Sequence, residues 1–243
     1  MPKTSVIFVH WAMNDERSTT MQVSLLSLIE TTRHLPVEII VVDNGSSLGD
    51  SSFLLELTQR KDIQYYVRNS ENLYFGYARN QGVALSCGDY LVFSDNDIEY
   101  RQGWLEKAIA ILEANPDRKI AVTPLRADRQ HRHLGYWKGE LEFEGEKYLI
   151  NTRAGSNSWV MRKKDFEIVG RFRNHRIAGS HWADTFVNKG YLMVTMEKAP
   201  LSVSNKNTTP LATDLGFKSG YNIKAKPEIA KVFANGERMV INN

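Results

Sequence analysis

Asp95 and Asp97 stand one residue apart where an apolar run ends, in the stretch LVFSDNDIEY over residues 91–100. Aspartate has a pKa of about 4, so both carboxylates are charged at neutral pH. Two like charges held at the end of a buried run repel each other unless something positive lies between them. A divalent cation meets that need, because hard Mg²⁺ or Mn²⁺ prefers carboxylate oxygens together with phosphate oxygens. The other reading is a solvated Asp-rich turn whose side chains accept from local backbone donors.

The elements that position this pair alternate through the first hundred residues. SVIFVHW (5–11), VEIIVVD (37–43), IQYYV (63–67) and YLVFS (90–94) are short apolar runs. The segments 17–33, 51–60 and 76–88 between them carry helical spacing. Continuous apolar strands alternating with helices predict parallel pairing and burial on both faces. The fold class expected is therefore α/β: a doubly wound, mostly parallel sheet flanked by helices. In such sheets ligands bind beyond the carboxyl ends of the strands. His10, Asp43 and the Asp95/Asp97 pair all fall at such ends.

Beyond Tyr100 the alternation weakens. Residues 103–116 predict an amphipathic helix stopped before Pro116. KIAVTPL, NSWVMR (157–162) and YLMVTM (191–196) read as strands, KKDFEIVG and SHWADTFVNKG (180–190) as helices, and KGELEFEGE as a hairpin. There is no internal repeat or linker, so residues 1–243 are expected to form one continuous domain with a less regular second half.

Composition narrows the function classes. The net charge of +3 is too small to argue for nucleic acid. The single cysteine, Cys87, allows no intrachain disulfide, and its place in VALSCG predicts a buried structural thiol. No window approaches the ~20 apolar residues of a membrane span. The amino-terminal stretch lacks a long apolar core and cleavage site, so a cytoplasmic protein is expected. Residues 218–238 mix Lys with apolar side chains, giving a solvated helix or a peripheral contact with an anionic membrane.

VEIIVVDNGSS followed by ENLYFGYARNQGVALSCGDYLVFSDNDI resembles the family 2 glycosyltransferases of the GT-A fold. The strong part covers residues 37–98, and the strand and helix pattern extends it over residues 4–196. The resemblance implies a nucleotide-sugar-binding half (1–98) and an acceptor-binding, catalytic half (99–243). It implies that Asp43 hydrogen-bonds the base of a UDP-, GDP- or dTDP-sugar. Asp95 then faces the ribose or the metal, with Asn96 beside it, and Asp97 holds the Mn²⁺ or Mg²⁺ that bridges the diphosphate. Arg79 sits near the nucleotide or acts as a helix charge. His10 and Trp11 contact the base or pack. Gly76 and Gly82 allow close approach of their helix, and Asn80 ties that helix to neighbouring backbone.

Two departures from the family pattern stand out. Tyr74 occupies a position where members often carry Gly. The stretch LSVSNKN offers Asn205 and Lys206 where many members place a metal-binding His.

Transfer of a sugar from a nucleoside diphosphate must stabilise a departing diphosphate and deprotonate an attacking hydroxyl. A metal clamp serves the first need and a general base the second. The resemblance implies inversion in a single displacement, with a Glu-Asp pair opening a helix as the source of the base. Here Asp184 is the nearest match, with Ala183 in the place of Glu, whereas counting back from Gly190 without a gap reaches Ala178 and Gly179. His181, three residues before Asp184, shares its helix face and could share the site. Trp182, Trp159 and Trp137 are candidates for stacking on acceptor sugars, or are packing residues. Arg126, Arg129, Arg132, His131 and His133 suit an anionic acceptor or a solvated loop.

The main reading is a metal-dependent inverting glycosyltransferase acting on a glycan, lipid-linked glycan or other hydroxyl acceptor in polysaccharide or glycoconjugate synthesis. A catalytically inactive nucleotide-sugar-binding relative is the alternative. An aspartyl-nucleophile phosphohydrolase also places D-x-D after a strand, but after the first strand and before a Gly-Thr-like turn. Here a later strand leads into Ile-Glu.

Overall fold

Each apolar run of the first hundred residues becomes a strand: β1 (Thr4–His10), β2 (Val37–Asp43), β3 (Tyr65–Arg68) and β4 (Tyr90–Ser94). The periodic segments between them become α1 (Asp15–Thr32), α2 (Ser51–Gln59) and α3 (Tyr74–Leu85). The second half adds β5 (Ile98–Tyr100), α4 (Trp104–Ala114), β6 (Ile120–Pro124), β7 (Trp137–Phe143) and β8 (Glu146–Asn151). It continues with β9 (Ser158–Arg162), α5 (Lys163–Val169), α6 (Ala178–Asn188), β10 (Leu192–Met196) and β11 (Ser202–Ser204). This computed structural model describes residues 3–47, 51–124, 137–151, 158–174, 178–196 and 202–204.

One nine-stranded sheet, ordered β3-β2-β1-β4-β9-β6-β10-β8-β7, runs through both halves, and β5 pairs with β11 separately. β1 is parallel to β2 and β4, β2 to β3, and β6 to β10. β9 runs antiparallel to both β4 and β6, and β8 antiparallel to β7 and β10. The sheet is thus mixed, and the mostly parallel expectation describes its first half. Strand β9 is buried at all five positions, so its sequence looks alike in either pairing direction.

Alternating strand residues feed two cores. Val6, Phe8, Ile39, Val41 and Val92 pack beneath α1, α2 and α4. Ile7, Leu91, Phe93, Trp159 and Met161 pack beneath α3, α5 and α6. At α1 the Asn14 side chain accepts from Arg17 N at 2.9 Å, and Asp15 and Glu16 follow in the first turn, where carboxylates complement the helix dipole. Ser24 and Ser27 of α1 face β5: Ser24 Oγ donates to Ile98 O at 2.6 Å, and Tyr100 N donates to Ser27 Oγ at 3.0 Å.

Cys87 corrects an expectation. Helix α3 stops at Leu85, two residues earlier, and the thiol is exposed at the amino-terminal ends of the strands. There Cys87 Sγ donates to Glu38 Oε2 at 3.0 Å and accepts from Lys3 Nζ at 2.6 Å.

Candidate functional site

The chain passes from β1 through β2 to β3 on one side, then returns to place β4 on the other side of β1. The order reverses at the carboxyl ends of β1 and β4, the place where sheets of this kind bind ligands. His10 and Asp43 are register partners at the ends of β1 and β2, and Arg68 ends β3 opposite Asp43. The turn Asp95-Asn96-Asp97 leaves β4 at the same rim, and all three residues are half-buried.

The residues beneath that turn hold it in place. Arg79 Nη2 donates to Asp95 Oδ1 at 2.7 Å. The guanidinium itself is buried among the rings of Phe75, Phe172, Phe93 and Trp159, at 4.9, 5.4, 5.8 and 5.8 Å. Burial lowers the Arg79 pKa from its ordinary range, and the charge of Asp95 pushes the other way. Asn96 Nδ2 lies 3.3 Å from His10 Nδ1, within hydrogen-bond reach. Both His10 and Arg79 are buried, and each reaches the rim through a residue of the turn.

Asp43 is also buried. Its Oδ1 accepts from Ser46 N at 2.9 Å, while Oδ2 lies 3.4 Å from Tyr66 Oη and 3.7 Å from Arg68 Nη1. Arg68 is the exposed member of this group and was missing from the sequence reading, which ended the third strand at Val67. Next to it, Asn44 Oδ1 accepts from Asn69 Nδ2 at 3.0 Å and from Leu73 N at 3.1 Å, pinning the start of α3 to the end of β2.

Helices α3 and α6 meet at the rim. A Cβ on Gly76 would lie 2.6 Å from both Ala178 Cβ and Arg173 O, so only glycine permits this approach. A Cβ on Gly82 would lie 2.5 Å from Ile7 Cγ2. Asn80 ties α3 to the Phe172 backbone, donating to its carbonyl at 2.7 Å and accepting from its N–H at 3.1 Å. The expected roles of Gly76, Gly82 and Asn80 are those the structure gives them.

The acceptor-side candidates fare differently. β10 runs in the same direction as β4, so α6, which turns directly into β10, has its amino terminus at the rim. Ala178, Trp182, Ala183 and Phe186 form the buried stripe of α6, and Asp184 is exposed on the opposite side. It also lies six residues into the helix, about 9 Å from its start at roughly 1.5 Å per residue. Asp184 therefore points away from the sheet and is not brought to the rim. His181 is half-buried and one turn from the amino terminus. Trp159 and Trp182 are buried against each other at 4.6 Å, with Phe172 stacked on both. Trp182 Nε1 donates to Gly170 O at 2.8 Å. Neither ring offers a face to a sugar, because aromatic neighbours occupy those faces; this corrects the stacking expectation. Asn205, Lys206, the basic run 126–133 and residues 218–238 lie outside the described residues, as does the side chain of Trp137.

Among the described residues no group of three or more His, Cys, Asp or Glu side chains is placed to hold a metal. Two carboxylates in one turn suit instead a cation that takes its remaining ligands from phosphate and water, as Mg²⁺ commonly does.

Residues 12–169 match the family model described as Glycosyl transferase family 2. Glycosyltransferase AglE of Haloferax volcanii is 26% identical over 161 residues, covering 63% of this chain and 52% of AglE. Putative polypeptide N-acetylgalactosaminyltransferase 13 of Drosophila melanogaster is 29% identical over 141 residues, covering 54% of this chain and 25% of that protein. The chain thus spans about half of one relative and a quarter of the other. A crystal structure of GalNAc-T7 with UDP, GalNAc and Mn²⁺ is similar with TM-score 0.62 at 15% identity, covering 84% of this chain and 42% of that one. S. aureus TarS 1–349 in complex with UDP-GlcNAc gives TM-score 0.61 at 15% identity, covering 83% and 58%.

Proposed function

Since the chain belongs to glycosyl transferase family 2, we propose that it transfers a sugar from a nucleoside diphosphate sugar to a hydroxyl acceptor, in one inverting step assisted by a divalent cation. The observation that carries this reading is the convergence of Asp43, Arg68 and the Asp95–Asp97 turn at one rim of the sheet, at its switch point. A UDP-sugar is the first donor to consider, because the structures of GalNAc-T7 and TarS were determined with UDP and UDP-GlcNAc. A glycan, free or lipid-linked, is the acceptor class this reading favours.

In this mechanism Asp43 and Arg68 form the base end of the site, with Arg68 supplying the exposed donors. Asp97, with Asp95, would hold the cation, which when bound neutralises charge developing on the diphosphate. Arg79 orients Asp95 from below, and Asn96 is braced by His10. Deprotonation of the acceptor falls to the acceptor half, where His181 near the amino terminus of α6 is the remaining candidate base.

Calorimetric titration of UDP, GDP and dTDP with and without Mn²⁺ tests the reading. One nucleotide should bind wild type in a metal-dependent way, and Asp97→Ala should lose that dependence. Absence of any nucleotide binding by folded wild type overturns it. A second reading, nucleotide-sugar binding without transfer, is favoured by one observation: α6 brings no carboxylate to the rim. Donor binding with no turnover and no effect of His181→Ala would support it. Among the described residues no helix is long and apolar enough to cross a membrane.

A further inference from the structure

Tyr100 lies on β5, three residues beyond Asp97, and is almost fully buried. Its hydroxyl is 2.7 Å from Ser94 Oγ and 2.8 Å from Ser158 Oγ, both buried as well. Ser94 Oγ in turn donates to the backbone carbonyl of Asp95 at 3.1 Å. Each hydroxyl has one proton to give. With the Ser94 proton on Asp95 O, Tyr100 must donate to Ser94 and accept from Ser158. The chain of hydroxyls therefore has one direction, from β9 through β5 to the end of β4.

Its consequence falls on the carboxylate turn. Asp95 is held twice, by Arg79 at its side chain and by Ser94 at its carbonyl. On the far side of Asp97 the two serines of α1 hold β5, and the Tyr100 ring packs on Trp104 at 4.3 Å. Burial raises the Tyr100 pKa far above its ordinary value of 10.0, despite the hydrogen bonds to Ser158 and Ser94, so the phenol keeps its proton at any working pH. Phe at this position would fill the same space and stack on the same Trp, yet cut the chain.

We propose that Tyr100 is a positioning residue of the donor site, its hydroxyl fixing the turn that bears Asp95 and Asp97 and tying it to β9 of the acceptor half. This inference rests on the assignment of that turn to the metal-assisted donor site. A cation shared between a carboxylate and a diphosphate is sensitive to small displacements of the carboxylate, since sites of this kind need placement to within about 0.5 Å. The hydroxyl chain supplies that constraint where the described residues provide no third acidic or His ligand.

The test measures how strongly Mn²⁺ and UDP assist one another, as the ratio of UDP affinity with saturating Mn²⁺ to that with chelator. Tyr100→Phe should fold, bind UDP in chelator as wild type does, and lose on the order of fivefold to tenfold in this ratio. Ser158→Ala should show a smaller loss of the same sign, and the double variant should lose no more than Tyr100→Phe alone, as members of one chain do. If Tyr100→Phe does not fold, Ser158→Ala carries the measurement alone. A wild-type ratio in the folded variant, or additive losses in the double variant, overturns the proposal. Asp97→Ala separates the two levels. If it loses the metal dependence while Tyr100→Phe keeps it, this inference alone fails. If Asp97→Ala keeps it, the donor-site assignment fails and this role with it.

Discussion

Arg79 carries its charge into an enclosure of four aromatic rings and meets the Asp95 carboxylate at the opening. Breaking a buried pair costs about 3–5 kcal/mol when the remaining charge stays buried. Asp95 is one-third exposed and can rehydrate, so Arg79→Met should cost less, about 2 kcal/mol in urea unfolding. The larger effect should be on the donor site, where metal-dependent UDP affinity should fall at least about tenfold. Glu38, at the other end of the strands, makes a pH prediction. Burial pushes its pKa up, but hydrogen bonds from Cys87 and Ser5 and the charge of Lys3 outweigh this, leaving it below 4.5. A pKa lower in the folded than in the unfolded state stabilises above the unfolded value, and that contribution is lost as pH falls through the folded one. The thermal stability of wild type should therefore fall as the pH drops below about 4.5, and Glu38→Gln should lose less over the same range. At this scale the sequence was an uneven guide. Asp95 and Asp97 were legible because paired charges after an apolar strand need a reason. The outward position of Asp184 could have been read in advance: the apolar stripe Ala178, Trp182, Ala183, Phe186 already set the helix phase. Tyr100 gave no signal, since one aromatic residue in IEY looks like any core residue.

Helix α3 is fixed by its glycines. Gly76 lets its first turn lie against Ala178 and Arg173, and Gly82 lets it rest on Ile7. Gly76→Ala places a methyl against a backbone carbonyl that cannot retreat without moving the segment leading into α6. It should cost about 1–3 kcal/mol, visible as a lower Tm, despite the better helix propensity of alanine. Because Arg79 rides on the same helix, the variant should also weaken UDP binding, which a remote packing defect would leave alone. Elements with long periodic or apolar runs were legible to within one or two residues: β2 and β4 match their expected spans, α1 starts two residues before its expected span and ends one short of it, and α4 falls just inside its own. The three-residue strands β5 and β11 were not, because three residues carry no periodicity. What makes β5 a strand is external: the α1 serines on one edge and β11 on the other.

At the scale of the molecule, one sheet joins the two halves of the chain, and β9 is the seam. It pairs with β4 along five residues and with β6 beyond, and reverses the direction between two parallel groups. The seam brings Ser158 beside Ser94, so a strand of the second half lies next to the carboxylate turn. The sequence could announce a buried strand here but not its direction, which depends on which neighbours claim it. The opposite pole of the same sheet holds Cys87, the chain's only thiol, exposed and separated from the rim by the length of β4, about 17 Å at roughly 3.3 Å per residue. That gives the protein a natural handle for chemistry done by the experimenter. A maleimide dye should attach at one place, and metal-dependent UDP affinity of the labelled protein should match that of the unlabelled chain. Tethered through the same sulfur to a sensor surface, every molecule would present its carboxylate rim outward, ready for acceptors to be passed over it one by one.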